Sequence, residues 1–104
     1  MNEPVIMPIE NGTPFNYYFH CPGCNSEHGI NTNAANGRPL WILSGPPEQP
    51  TISPSILVRG GYYDQVARVD KVGVCHSFVR NGQIQFLTDC THHLAGQTVP
   101  LPAL

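Results

Sequence analysis

Four cysteines are the residues of this 104-residue chain whose type and spacing point most clearly to chemistry. Cys21 and Cys24 form a CxxC pair, and Cys75 and Cys90 lie far downstream. The first residues carry no basic, apolar leader, so we expect a cytoplasmic protein, in which cysteines act as thiols or metal ligands. A CxxC turn combined with two ligands from a distant hairpin is a frequent zinc site. We therefore predict a zinc ion held by Cys21, Cys24, Cys75 and Cys90, or by three of these and one nearby histidine.

A hairpin is the element that must position the second pair of cysteines. Asn81-Gly82 separates two alternating apolar runs within residues 72–89, and this dipeptide favours a two-residue type I′ turn. Antiparallel counting through that turn places Cys75 and Cys90 on one face of the hairpin. His76 and Asp89 then share the opposite face, where the carboxylate could orient the imidazole.

Histidines surround the predicted zinc site. His28 follows the CxxC pair by four residues, and His92 follows Cys90 by two. With His76 and Asp89 they are our candidate catalytic residues. Three interpretations stay open: hydrogen bonds to loops around a structural metal, one histidine replacing a cysteine as ligand, or a catalytic or second metal site with an open position.

Other side chains give weaker signals. Thr51, Ser53 and Ser55 could line a ligand pocket, but hydroxyls beside prolines more often bond to turn backbone. Trp41 is expected in the core or as a lid over the metal. We find no Ser-His-Asp order, no phosphate-binding glycine loop and no deaminase motif in the sequence.

Composition bounds the fold and the partners. Ten glycines and eleven prolines shorten every regular element. We predict one mainly β domain over residues 1–104, a small zinc-stabilised antiparallel structure resembling a zinc ribbon, sandwich or barrel, with little helix and an extended tail at 94–104. Strands are expected at 17–19 and, buried, at 39–43. Residues 25–37 are expected as a loop or a short turn of helix, and residues 60–73 as a flexible loop. Only five Lys and Arg and a net charge of −2 make nucleic acid an unlikely partner, and no stretch reaches membrane-spanning length.

Four blocks of the chain resemble a family of short, uncharacterised phage and prophage proteins, often carried under the label "ammonia monooxygenase". The blocks are Cys21-Pro22-Gly23-Cys24 with His28, Pro50-Thr51 with Ser53-Pro54-Ser55, Cys75-His76-Ser77-Phe78-Val79, and Asp89-Cys90-Thr91-His92 with Ala95-Gly96-Gln97. The resemblance implies a phage origin and a metal-binding role for the cysteines and histidines of these blocks. A monooxygenase would need its own ligand set and a bundle or membrane scaffold, which the sequence does not show.

Two functions follow from these observations. The first is a small zinc-binding module of phage origin that binds a host or defence protein. The alternative is a zinc-dependent hydrolase, in which His76, backed by Asp89, and His28 or His92 act beside a metal-activated water.

Overall fold

The structure, a computed structural model, describes residues 3–64 and 66–104 and consists mainly of two antiparallel sheets. Three strands form the smaller sheet in the order β1-β2-β3, and five form the larger in the order β4-β5-β6-β7-β8. The strands are β1 (Ile6–Pro8), β2 (Tyr17–Cys21), β3 (Ser26–Ile30), β4 (Ile42–Ser44), β5 (Thr51–Asp64), β6 (Val69–Arg80), β7 (Gln83–Phe86) and β8 (Thr98–Pro100), with one 3-10 turn at Ala34–Asn36. The prediction of a mainly antiparallel β domain with little helix is confirmed. Across both described ranges, no helix is long and apolar enough to cross a membrane.

The core is formed by side chains that alternate along the strands of both sheets. Alternation sends every second residue of a strand to the same face, so one face of the large sheet can be apolar throughout. The most deeply buried members are Phe19 and Ile30 of the small sheet and Ile52, Val79, Ile84 and Phe86 of the large one. Each such side chain contributes about 1.5–3 kcal/mol by leaving water. The opposite face of β5, β6 and β7 therefore remains available for polar groups.

The β6–β7 hairpin has the turn and the register that the sequence predicts. Asn81 and Gly82 have φ values of 51° and 78°, as a type I′ turn requires. Val79 pairs with Ile84, and Ser77 pairs with Phe86. The ladder ends at Phe86, so Cys75 does not pair with Thr88 as antiparallel counting suggested.

Gly82 combines a positive φ with close packing, and its replacement by alanine should be costly. A Cβ atom there would lie 3.0 Å from the Glu48 carbonyl oxygen and 3.1 Å from the Gln49 Cα atom. We expect Gly82→Ala to lower the free energy of unfolding in urea by about 1–3 kcal/mol. Gly96→Ala is the control, because Gly96 has the same φ of 78° and a Cβ atom there would make only an ordinary contact, 3.6 Å from Thr88 Cγ2. An equal loss in both variants would show that backbone strain alone, without the clash, explains the effect.

Two segments predicted without strands contain them, although the short turn of helix allowed within 25–37 is present at Ala34–Asn36. Most of residues 60–73 continue β5 and β6 as a long antiparallel arm, paired from Ile56–Ser77 out to Asp64–Val69, because ladder hydrogen bonds offset the weak strand propensity of its glycines. Gln65, which falls in that predicted loop, lies outside the described residues. So do Met1 and Asn2, at the start that is predicted to carry no leader. Residues 26–30 form β3 rather than loop, since the CPGC turn brings the chain back along β2.

Candidate functional site

The predicted metal ligands of the CxxC turn lie close to Cys75, on the buried faces of the two sheets. Cys21 ends β2, Cys24 lies in the turn, His28 is in β3 and Cys75 is in β6. One ligand atom from each of these four buried residues lies within 4.8 Å of the other three. We call them the Cys3His cluster. It could hold a metal ion.

Three observations on the Cys3His cluster fit a tetrahedral metal site. The Sγ atoms of Cys21 and Cys75 are 3.8 Å apart, and two thiolates on one tetrahedral zinc ion, each at about 2.3 Å, are separated by about 3.8 Å. The Cys24 N–H donates to Cys21 Sγ at 3.4 Å, a bond that supports a thiolate. Within the described residues, the buried His28 Nε2 has no hydrogen-bond partner, which is expected of an atom placed to bind a metal.

The cysteine pKa values show why these thiols need a cation. Hydrogen bonds from Cys24 and Cys75 hold the pKa of Cys21 far below its ordinary value. The same contact with Cys21 raises the pKa of Cys24 to about 12 and raises that of Cys75 as well. Without a cation, one thiolate forms readily and its neighbours stay protonated. A divalent ion would compensate all three negative charges at close range.

Cys90, predicted as the fourth ligand, lies against the backbone of His76. Its Sγ accepts the His76 N–H at 3.2 Å and donates to the His76 C=O at 3.1 Å. Burial raises the pKa of Cys90, so the protonated form that makes both bonds is favoured. A second group of possible ligands contains Cys75, Cys90 and His92. The four predicted cysteines are thus divided between two groups, and their assignment as one zinc site stays a prediction.

His92 covers the CPGC turn. A Cβ atom on Gly23 would lie 2.4 Å from His92 Cε1, so only glycine allows this close packing. His92 Nδ1 accepts the Leu94 N–H at 3.2 Å, and a neutral imidazole that accepts at Nδ1 carries its proton at Nε2. His92 as a ligand or catalytic residue stays a prediction, since it belongs to the second group of possible ligands. Burial also lowers the pKa of His92, which keeps the ring neutral.

On the outer face of the large sheet, three polar side chains form one hydrogen-bonded chain. Ser55 Oγ lies 3.1 Å from His76 Nε2. His76 Nδ1 lies 3.0 Å from Asp89 Oδ2. The contacts fit a neutral imidazole that donates its Nδ1–H to Asp89 and accepts the Ser55 hydroxyl proton at Nε2. His76 is about a quarter exposed and Asp89 is 57% exposed, so solvent reaches the group.

Local strand geometry explains how Ser55 reaches His76. Leu57 pairs with His76 across β5 and β6, and Ser55 shares the face of Leu57 because side chains alternate. Ser55 is therefore the diagonal neighbour of His76. The ladder is irregular between Ile52 and Ile56, where a bulge surrounds Pro54. Trp41 lies in the core, as predicted, and its indole N–H donates to the Ser55 C=O at 3.3 Å.

The sequence-based statement that no Ser-His-Asp order is present is wrong. Ser55, His76 and Asp89 occur in that chain order, and the sheet brings them into contact. Ser55 was assigned to turn hydrogen bonding, a role that the structure gives instead to Thr51, whose Oγ1 accepts the Asn81 N–H at 3.0 Å. The signal that could have found Ser55 is its alternation with Leu57 on a strand antiparallel to the His76 strand.

A family comparison covers most of these residues but ends before Asp89. The model of a family described as bacterial ubiquitination-like system serine protease (BubE) matches residues 3–87, which include Ser55, His76 and the whole Cys3His cluster. No curated protein and no solved structure matches the chain. The match spans most of the 104 residues, and the chain belongs to the BubE family.

Proposed function

We propose that the protein is a serine protease whose catalytic triad is Ser55, His76 and Asp89. The observation that carries this proposal is the continuous hydrogen-bonded chain from the Ser55 hydroxyl through the His76 imidazole to the Asp89 carboxylate. A serine hydroxyl is a weak nucleophile until an adjacent base accepts its proton, and the base works best when a third group fixes its tautomer. Ser55, His76 and Asp89 would supply the nucleophile, the base and the orienting group on one solvent-accessible face.

Each residue has a defined part in the reaction. Ser55 Oγ attacks the scissile carbonyl while His76 Nε2 takes its proton, and the imidazolium then protonates the leaving amine as the C–N bond breaks. Water, deprotonated by the same imidazole, attacks the acyl-enzyme ester and releases the acid and the free Ser55 hydroxyl. Asp89 keeps the Nδ1 proton in place and stabilises the imidazolium that forms. This assigns the predicted catalytic residues His76 and Asp89 as base and orienting group.

The family description supports a protein substrate. It names a serine protease of a bacterial ubiquitination-like system, so the acyl group that Ser55 receives would come from a component or a conjugate of such a system. The sequence-based hypothesis of a binding module for a host or defence protein comes second, because a module that only binds needs no activated serine.

We also propose that the metal is zinc and that its role is structural. Cys21, Cys24, Cys75 and His28 supply four protein ligands, the number that closes a structural zinc site, whereas a catalytic zinc keeps one position open. The cluster is buried, while Ser55 and His76 face outward. The alternative of a zinc-dependent hydrolase therefore has less support. Bound zinc would supply folding energy and fix Cys75, the residue that precedes His76.

Variants of His76 and Asp89 test the triad. We expect His76→Gln to lower kcat for ester or peptide hydrolysis by about 10⁴-fold or more. Asp89→Asn should lower it by about 10²- to 10⁴-fold, with the exposed position of Asp89 favouring the smaller value because water can partly replace the carboxylate. Asp70→Asn, an exposed position on β6, is the control. Activity of Asp89→Asn equal to that of Asp70→Asn would exclude Asp89 from the triad.

A further inference from the structure

The edge of β5 beyond Ser55 offers main-chain groups that no strand of the described residues pairs, whereas the Ser55 C=O accepts the Trp41 indole N–H. On that side β4 pairs with β5 only from Thr51 to Ser53, and no strand of the described residues continues along the edge beyond this point. β5 itself runs on to Asp64. The nucleophile thus sits where the covering strand ends. An open edge of this kind is a template for an added strand.

The direction of the β5 main chain follows from its partner strand. The N–H and C=O groups of His76 point toward β7, where they contact Cys90 Sγ and the Leu87 N–H. Val74 does the same, through hydrogen bonds with Thr91. Because these two residues turn away from β5, their partners Leu57 and Arg59 form non-hydrogen-bonded pairs with them. The N–H and C=O groups of Leu57 and Arg59 therefore point outward, along the open edge.

We propose that the substrate binds as an extended peptide strand that pairs with the β5 edge at Leu57 and Arg59. The proposal rests on the proposed serine protease function. A strand added here would pair with β5 beyond the Trp41 indole that bonds to the Ser55 C=O, and its end would bring a peptide carbonyl toward the nucleophile. Leu57 and Arg59 are exposed, so a substrate side chain opposite Arg59 would share its face, and an acidic side chain would be favoured there.

Proline substitution tests the edge because it removes one N–H without touching the β5–β6 ladder. Leu57→Pro deletes an outward donor on the β5 edge. Val72→Pro is the matched control, since Val72 is 86% exposed and its N–H points outward from the opposite edge of the same arm. We would measure kcat/KM for the best-cleaved member of a library of internally quenched decapeptides, and for 4-nitrophenyl acetate, which is too small to form a strand.

The ratio of peptide to ester turnover is the readout. We expect Leu57→Pro to lower this ratio by about 10- to 100-fold, since it removes a main-chain hydrogen bond and places a ring in the strand path. Val72→Pro should leave the ratio within about threefold of wild type. Equal ratios in the two variants would overturn strand pairing at this edge. So would ester hydrolysis that depends on Ser55 with no decapeptide cleaved, whereas ester hydrolysis independent of Ser55 would refute the serine protease function itself.

Discussion

Replacement of Ser55 by alanine is expected to abolish hydrolysis while leaving the fold and the metal content unchanged. The Ser55 hydroxyl contacts His76 Nε2 on the outer face of the sheet, and Ser55 is only partly buried. Loss of a triad nucleophile typically lowers kcat by about 10⁶-fold. The measurement is turnover of 4-nitrophenyl acetate and of an internally quenched peptide, with circular dichroism and zinc content as checks on the fold.

Ser53→Ala is the control for this experiment. Ser53 lies on the same strand, is exposed, and pairs with Ile42 of β4 rather than with the His76 side chain. We expect this variant to keep wild-type turnover within a few fold. If Ser55→Ala and Ser53→Ala hydrolyse equally well, the nucleophile lies elsewhere and the assignment of the triad fails.

Replacement of His28 by alanine is expected to remove the metal and with it most of the stability of the domain. His28 belongs to the Cys3His cluster. Structural zinc sites contribute apparent binding energies of about 10–16 kcal/mol at neutral pH, which is comparable to the whole free energy of folding of a domain, about 5–15 kcal/mol. The measurement is zinc stoichiometry by elemental analysis together with the unfolding transition.

Cys90→Ala separates the Cys3His cluster from the set of four cysteines. Its sulfur bonds to the His76 main chain, so we expect this variant to keep one zinc per chain and to lose part of its activity through a displaced His76. Loss of zinc in Cys90→Ala, with zinc retained in His28→Ala, would contradict our ligand set. It would support Cys21, Cys24, Cys75 and Cys90.

The CxxC turn and the β6–β7 hairpin could be predicted from the sequence because short-range signals specify both. Asn81-Gly82 fixes the register of the hairpin, and the register fixes which faces Cys75 and His76 occupy. The same counting places Asp89 near His76, and the two are in contact although the ladder ends three residues earlier, at Phe86. Each of these inferences depends on residues separated by a single tight turn, where chain geometry leaves few alternatives.

Ser55 could not be placed in the same way because its partner strand is reached through a long arm. Gly60, Gly61 and Gly73 interrupt the apolar alternation, so the sequence provides no turn signal from which to count between β5 and β6. The bulge around Pro54 also shifts the register of β5 against β6, by an amount that the local sequence does not specify. The choice between Cys90 and His28 as fourth ligand could not be made from the sequence for a related reason, since contacts between the two sheets are not encoded by any one hairpin.

Covalent labelling with a fluorophosphonate tests the central claim most directly, because such reagents react with serines that a neighbouring base activates. The wild-type protein should gain one adduct, and peptide mapping by mass spectrometry should place it on Ser55. Labelling should be lost when His76 is replaced by glutamine. An adduct on any other residue, or no adduct on a folded, zinc-loaded protein, would contradict the assignment of Ser55, His76 and Asp89 as a catalytic triad.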